Sequence, residues 1–270
     1  MSVRYARRLL ALSAAAFLIA SAAYAQATQT KPFEPTVGQA GKDVVWVPTP
    51  QTLVERMLDL AKVTPQDFLM DLGSGDGRTV ITAAKRGATA QGIEYNPDMV
   101  ALSQRNAKEA GVTGKATFVK ADLFETDFSK AQVVTMFLLP SINLRLRPKI
   151  LEMKPGTRIV SNTFTMDDWQ PDETSSVTED CTSWCTALLW IVPAKVEGTW
   201  QLPQGALTLK QNFQMVSGTL GGTAISDGRL RGDDITFTAG GAKYTGKVSG
   251  SSMSGTVSGG SGGKWSATRK

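Results

Sequence analysis

Short apolar runs alternate with amphipathic stretches over residues 44–192. The apolar runs predict strands, because such runs of about four to eight residues between turn residues are typical of buried strands. The amphipathic stretches predict helices, the first with Thr49 as N-cap and Pro50 at the first helical position. The predicted strands cover residues 68–72, 90–94, 117–121, 132–139 and 157–164. One predicted helix follows Pro50, and two others cover residues 78–86 and 96–110.

This alternation predicts an α/β fold with a doubly wound, mostly parallel sheet, because helices that join parallel strands lie on both faces of the sheet. Residues 187–192 are a further strand candidate, with residues 175–179 as a partner. The α/β domain is therefore predicted over residues 43–195.

Residues 196–270 differ from this pattern and predict a small all-β C-terminal domain. Sixteen of the 26 glycines lie in residues 198–270, and a glycine two residues before Leu or Val recurs at Gly218, Gly228, Gly246 and Gly255. Repeats of about nine or ten residues are typical of one strand plus one turn in an antiparallel meander. The sequence leaves two roles open for this glycine-rich domain: a structural appendage or a binding module.

The N-terminus predicts export. Residues 1–25 combine early arginines, an apolar run from Leu9 to Ala20, and an Ala23-Tyr24-Ala25 ending, which together are typical of a secretory signal peptide. We therefore expect cleavage after Ala25 and a periplasmic protein without a transmembrane span; the alternative is a membrane anchor through residues 9–25. The polar, Pro- and Gly-containing residues 26–42 predict a linker.

Composition excludes several kinds of chemistry. The 29 basic residues include three arginines of residues 1–25, so 26 basic and 24 acidic residues remain after cleavage, which argues against a nucleic-acid partner. The sequence contains no histidine, which excludes imidazole catalysis and histidine metal sites. The two cysteines, Cys181 and Cys185, cannot complete a metal site alone, so no metal is predicted. They are expected to be a structural or a locally redox-active pair, and we favour a disulfide between them.

The candidate chemistry centres on a glycine-rich turn between the first strand and the following helix. The turn reads Asp71-Leu-Gly73-Ser74-Gly75-Asp76-Gly77, and Glu94 ends the next strand. Glycines allow the backbone to approach a ligand closely, and a carboxylate at the next strand end can accept hydrogen bonds from a ribose. The G-x-G-x-G spacing differs from the G-x-G-x-x-G pattern of dinucleotide sites.

This motif resembles that of the class I S-adenosylmethionine-dependent methyltransferases. The resemblance implies S-adenosyl-L-methionine as cofactor, with the glycine turn beneath its amino-acid part and Glu94 at its ribose. It further implies that Asp122, after the third strand, binds the adenine amine and that Leu123 or Tyr95 packs on the ring. The complete predicted cofactor set is Thr49, Asp71, Gly73, Ser74, Gly75, Asp76, Gly77, Glu94, Tyr95, Asp122 and Leu123.

The sequence defines the acceptor of the methyl group less well than it defines the cofactor. The end of the fourth strand lacks the Asn/Asp-Pro-Pro-aromatic signature of base-modifying methyltransferases, and the wider pattern is similar to the small seven-strand protein-lysine methyltransferases. A protein lysine amine is therefore one possible acceptor, although residues 161–164 depart from the subgroup pattern. Methyl transfer needs alignment more than a dedicated base, so no catalytic residue is assigned. The candidate acceptor-pocket residues are Trp46, Phe137, Pro140 and Asn143.

A second hypothesis is that the protein is not an enzyme. A secretory signal peptide ahead of a cofactor site is unexpected, because an exported chain has no obvious supply of S-adenosylmethionine. The alternative is therefore an exported envelope-binding protein with a relict cofactor site and a β-rich binding tail.

Overall fold

The computed structural model describes residues 33–260 and 262–270, so the predicted signal peptide lies outside the described residues. Phe33 and Glu34 belong to an N-terminal unit, and Pro35–Lys270 form a second one. Within the described ranges, no helix is long and apolar enough to cross a membrane. The elements that precede the C-terminal domain are α1 (Gln51–Leu60), β1 (Phe68–Leu72), α2 (Arg78–Lys85), β2 (Thr89–Glu94), α3 (Pro97–Glu109), β3 (Ala116–Lys120), β4 (Val133–Met136), α4 (Pro140–Leu151), β5 (Arg158–Asn162), β6 (Glu173–Ser176) and β7 (Thr186–Ile191).

The first seven strands form one mixed sheet in the order β3-β2-β1-β4-β5-β7-β6. Strands β1 to β5 pair in parallel, whereas β7 is antiparallel to both β5 and β6. This arrangement confirms the predicted α/β class, and the structure adds that β7 runs antiparallel to its two neighbours. It also brings the carboxyl ends of β1 to β5 to one edge of the sheet, where ligands bind in folds of this type.

The structure differs from the predicted elements around β4. The apolar run over residues 132–139 predicts one long strand, but β4 ends at Met136 and α4 begins at Pro140. Helix α4 was not predicted, since Pro148 lies inside it and proline usually interrupts a helix. Residues 137–139 therefore leave the sheet and are available at its carboxyl edge.

The predicted cap of α1 is wrong by one residue. Pro50 is the N-cap, with an extended ψ of 140°, and no side chain caps the helix. The hydroxyl of Thr49 instead accepts a hydrogen bond from Asn162 Nδ2 at 3.3 Å. This contact joins the segment before α1 to the end of β5.

Apolar side chains cover both faces of the sheet. One layer packs α1 and α2 against the sheet through residues such as Leu53 and Val80. The other layer contains α4 and two large aromatic side chains, Trp169 and Trp190, both fully buried. These two layers hold the strand ends in place without covering the carboxyl edge of the sheet.

The C-terminal domain is a closed eight-stranded antiparallel barrel in which each strand pairs with its neighbours in sequence and the last strand pairs with the first. The meander is therefore as predicted, and its closure is an addition from the structure. Buried side chains fill the interior, including Phe237, Tyr244 and Trp265, whose rings contact one another. The barrel strands are β8 (Gly198–Leu202), β9 (Gly205–Asn212), β10 (Met215–Leu220), β11 (Thr223–Arg231), β12 (Asp234–Ala239), β13 (Ala242–Ser249), β14 (Ser252–Ser258) and β15 (Gly263–Arg269).

Polar and aromatic contacts fasten the barrel to the segment around β6. Arg229 of β11 donates to Asp172 Oδ1 at 2.7 Å, and the Asp172 side chain is almost fully buried. The ring of Phe213, between β9 and β10, stacks on Trp169 with centroids 5.7 Å apart. Gln214 Nε2 donates to the carbonyl of Gln170 at 2.8 Å. The barrel therefore supports one end of the mixed sheet.

The recurring barrel glycines lie where neighbouring strands approach closely. Gly255 pairs directly with Gly246, and a Cβ at Gly255 would lie 1.9 Å from the carbonyl oxygen of Thr245. We expect Gly255→Ala to lower the free energy of unfolding by about 1–3 kcal/mol, because the strands must separate. Urea denaturation followed by tryptophan fluorescence measures this change.

Gly114→Ala is the matched control for this experiment, since a Cβ at Gly114 meets nothing within 4 Å. It should change the free energy of unfolding by less than about 0.5 kcal/mol. Equal stability of the two variants would contradict the steric explanation for the barrel glycines.

Candidate functional site

A cavity of about 210 Å³ opens at the carboxyl edge of the mixed sheet. Its walls come from the ends of β1 to β4, from the segment before α1 and from the connection between β6 and β7. Twelve of the fifteen residues predicted from the sequence line it. They are Trp46, Thr49, Asp71, Gly73, Ser74, Gly75, Asp76, Glu94, Tyr95, Asp122, Leu123 and Phe137.

The carboxylate of Glu94 organises the floor of the cavity. Its Oε2 accepts a hydrogen bond from the backbone N–H of Gly75 at 3.0 Å, and its Oε1 accepts one from Asn96 N–H at 2.9 Å. The first bond holds the glycine turn, and the second holds the start of α3, where Asn96 is the N-cap. Glu94 therefore connects the ends of β1 and β2.

Gly75 lies where a side chain has no room. Its φ of +54° is in the left-handed region, and a Cβ would lie 2.6 Å from Nε1 of Trp46. Trp46 therefore covers the glycine turn directly. Trp46 lines the cavity, as predicted for an acceptor-pocket residue, and its role toward the acceptor stays a prediction.

Two further side chains join the turn to the segment before α1. Asp76 accepts a hydrogen bond from Arg78 Nε at 3.0 Å, and Arg78 Nη1 donates to the carbonyl of Thr49 at 2.7 Å. Ser74 is buried, and its Oγ has no hydrogen-bonding partner among the described residues. A buried hydroxyl without a partner is an available site for a polar ligand atom.

Asp71 lies below the turn in a buried position at the cavity wall. Its Oδ1 accepts a hydrogen bond from Thr135 Oγ1 at 2.6 Å. Burial raises the pKa of Asp71, the hydrogen bond from Thr135 opposes this rise, and the negative charges of Asp76 and Glu94 add to it, so that the pKa lies at about 7. Asp71 therefore connects β1 and β4 as a carboxyl group that titrates near neutral pH.

Residues 38–46 form a strap over the cavity. Its ends are joined by hydrogen bonds from Gly38 N–H to the carbonyl of Trp46 at 2.8 Å and from Trp46 N–H to the carbonyl of Gln39 at 2.9 Å. The predicted linker over residues 26–42 therefore differs from the structure at its carboxyl end, where residues 39–42 line the cavity. The sequence contains no pattern that reveals this contribution.

Lys42 of the strap lies over the predicted adenine end of the cavity. It forms an ion pair with Asp122, and its Nζ lies 4.8 Å from the ring centroid of Tyr95. The hydrogen bond between the side chains of Lys42 and Asp122 raises the pKa of Lys42 and lowers the pKa of Asp122. Asp122 Oδ1 also accepts a bond from Phe124 N–H at 2.9 Å. A ligand that binds Asp122 must therefore displace or share the contact with Lys42.

Three aromatic side chains that contact one another line a further part of the cavity. Phe137 stacks on Phe164 with centroids 5.9 Å apart and contacts Trp184 at 6.0 Å. Phe137 was predicted, whereas Phe164 and Trp184 were missed. Trp184 lies between Cys181 and Cys185, which form a disulfide. These flanking cysteines are the sequence feature from which a position for Trp184 at the site could have been predicted. We call these three residues the aromatic wall.

Three predicted residues do not line the cavity. Gly77 is the N-cap of α2, and a Cβ there would collide with the ring of Phe118. Pro140 is exposed in the first turn of α4. Asn143 is fully buried, and its Nδ2 donates to the carbonyl of Phe164 at 3.2 Å. Asn143 therefore positions the aromatic wall from behind and does not contact the cavity.

The chain is similar in sequence to known methyltransferases. Residues 71–173 match the ANTKMT methyltransferase domain. The chain is 46% identical to a protein-lysine N-methyltransferase of Saccharolobus islandicus, over 55% of this chain and 94% of that protein. It is 37% identical to the adenine nucleotide translocase lysine N-methyltransferase of Mus musculus, over 44% of this chain and 52% of that protein. The chain thus spans about half the length of this mammalian relative.

A solved structure is also similar. It is an RNA methyltransferase from Salinibacter ruber in complex with S-adenosyl-L-homocysteine, 49% identical, with a TM-score of 0.52. The similarity covers 56% of this chain and 96% of that chain.

The burial of Asp71 predicts a pH-dependent stability. The pKa rises from 3.8 to about 7 on folding, so the folded protein binds more protons than the unfolded chain between these values. The contribution of protonated Asp71 to the stability of the folded protein is fully present below pH 3.8 and is lost as the pH rises to about 7. From pH 4 to pH 7, we expect the free energy of unfolding to fall by about 2–4 kcal/mol relative to Asp71→Asn. Urea denaturation across this range measures it; parallel curves for the two proteins would contradict the assignment.

Proposed function

The chain belongs to the class I S-adenosylmethionine-dependent methyltransferases, among the relatives of the protein-lysine methyltransferases, and we propose that it methylates the side-chain amine of a protein lysine. The observation that carries this proposal is the aromatic wall, which lines the same cavity as Glu94 and the glycine turn. The relatives identify a methyltransferase, and the aromatic wall supports the choice of acceptor.

The cavity residues fit S-adenosylmethionine. Gly75 leaves no space for a side chain, Ser74 offers an unpaired hydroxyl, and the carboxylates of Glu94 and Asp122 lie at successive strand ends. We propose that Glu94 binds the ribose, that Asp122 binds the adenine amine, and that the turn holds the amino-acid part. When bound, the cofactor supplies an electrophilic methyl group on a positively charged sulfur.

The side chains around the opening suit a lysine acceptor. The nucleophile must be a neutral amine, and a dry, apolar environment lowers the pKa of a lysine toward that form. Phe137 and Phe164 provide apolar surface in the cavity wall, and the strap lines another part of the same cavity. These residues orient the acceptor and exclude water, so the reaction needs no histidine.

An RNA acceptor is the competing possibility, since the Salinibacter structure is described as an RNA methyltransferase. Two observations favour lysine. The chain carries 26 basic and 24 acidic residues beyond residue 25, a poor balance for binding phosphates. The segment after β4 also lacks the Asn/Asp-Pro-Pro-aromatic signature. The non-enzymatic alternative, an envelope-binding protein with a relict site, has no support from these relatives.

Transfer of a labelled methyl group tests the acceptor. Incubation with methyl-labelled S-adenosylmethionine and an envelope protein fraction should yield labelled methyl-lysine, detected by mass spectrometry after hydrolysis. Label in added RNA, with none in protein, would contradict the lysine proposal.

A matched pair of variants tests the cavity. Gly75→Ala should weaken S-adenosylmethionine binding at least about tenfold, because the new Cβ meets Trp46. Gly111→Ala also places alanine at a positive φ, +69°, but in open space, and should bind as the wild type does. Calorimetric titration compares them; equal affinities would contradict the proposed position of the cofactor.

We also propose that the protein is exported and acts in the periplasm. The signal-peptide pattern of residues 1–25 supports this location, and so does the disulfide between Cys181 and Cys185, since disulfides persist in oxidising compartments. Mass spectrometry of protein purified from cells should give an N-terminus at Gln26. An intact N-terminus would contradict cleavage and favour the membrane anchor.

A further inference from the structure

The connection between β6 and β7 holds one aromatic side chain in an unusual position. Trp184 has a φ of +55°, a conformation that bulky residues rarely adopt, so surrounding contacts must maintain it. The side chain is 43% exposed although it contacts Phe137 at the cavity. Trp184 is therefore held at the surface beside the cavity and is not part of the core.

Three contacts fix the loop that carries Trp184. The disulfide joins Cys181 to Cys185 across the residue, and Val177 N–H donates to the carbonyl of Cys185 at 2.9 Å. On the other side, Thr52 Oγ1 of α1 donates to the carbonyl of Glu179 at 3.1 Å. The loop is thus fastened to the sheet and to α1, on both sides of the indole.

We propose that Trp184, held by the disulfide, is a specificity-determining residue that recognises the acceptor side chain. This inference rests on the proposed lysine acceptor and adds the residue that selects it. The aromatic wall offers apolar ring faces to the methylene stem of a lysine and attracts its ammonium group before proton loss. Trp184 is the most exposed member of the wall and meets the incoming side chain first.

The location of the wall supports recognition over a purely structural role. Four of the large apolar side chains that are exposed in the described part of the chain line the cavity: Val45, Tyr95, Leu139 and Trp184. A group of exposed apolar side chains around a cavity marks a binding surface. Of these four, Trp184 forms an aromatic contact with Phe137 and has the best ring for attracting a cation.

Binding of a small cation tests this proposal without catalysis. The probe is butyltrimethylammonium, which reproduces the end of a trimethylated lysine, titrated calorimetrically into protein saturated with S-adenosylhomocysteine at constant ionic strength. Trp184→Ala should weaken binding about three- to tenfold, and Trp184→Phe should restore part of it. The double variant Cys181→Ser, Cys185→Ser should also bind more weakly, because the loop no longer holds the indole.

Met215→Ala is the control, since it removes another exposed apolar side chain, on β10 and outside the cavity. It should bind butyltrimethylammonium as the wild type does. Unchanged binding by Trp184→Ala, or no binding by the wild type, would overturn the proposal. Far-UV dichroism and cofactor titration identify any variant that fails to fold, and in that case the Trp184→Phe comparison decides.

Steady-state kinetics separates this proposal from the proposed function. With a protein acceptor, Trp184→Ala should raise the acceptor KM about three- to tenfold while kcat and S-adenosylmethionine affinity stay near wild-type values. A wild-type protein that methylates no lysine but binds the probe through Trp184 would refute the proposed acceptor and leave Trp184 as a cation-binding residue. An unchanged acceptor KM in an active variant would refute the role of Trp184 alone.

Discussion

The carboxylate of Glu94 is the interaction on which the cavity depends. It accepts hydrogen bonds from the backbone of Gly75 and Asn96, and so fixes the glycine turn to the beginning of α3. Each carboxylate oxygen has capacity for a further hydrogen bond, which leaves acceptors for a ribose. One side chain thus both shapes the turn and remains available to a ligand. Replacing it would leave two backbone donors to find other partners.

Parts from distant regions of the chain complete the site around this centre. The strap contributes Trp46 and Lys42, and the connection between β6 and β7 contributes Trp184. The barrel acts indirectly, because Arg229 and Phe213 hold the segment that leads into β6. A structural role for the barrel follows from these contacts, and a binding role remains a separate hypothesis. Closing such a cavity on several sides limits access of water to the reacting groups.

The sequence predicted features that depend on local chemistry. The glycine turn, Glu94 and Asp122 follow strand ends, so a parallel sheet necessarily brings them together. The same reasoning could not find Lys42, Phe164 or Trp184, whose positions depend on contacts between segments far apart in the chain. Thr49 was misassigned as a cap for a similar reason, since its hydroxyl bonds to Asn162 from β5. Helix α4 was not predicted from the sequence because it contains Pro148, and proline inside a helix is rare.

We propose that the cavity at the carboxyl edge of the sheet is the S-adenosylmethionine site. A crystal structure of the full chain with S-adenosylhomocysteine would decide this. We expect the ligand in this cavity, with its ribose hydroxyls at Glu94, its adenine at Asp122, where it displaces or shares the contact with Lys42, and its sulfur facing Phe137. A ligand bound elsewhere, or one placed in the cavity without contact to Glu94, would refute the proposed site.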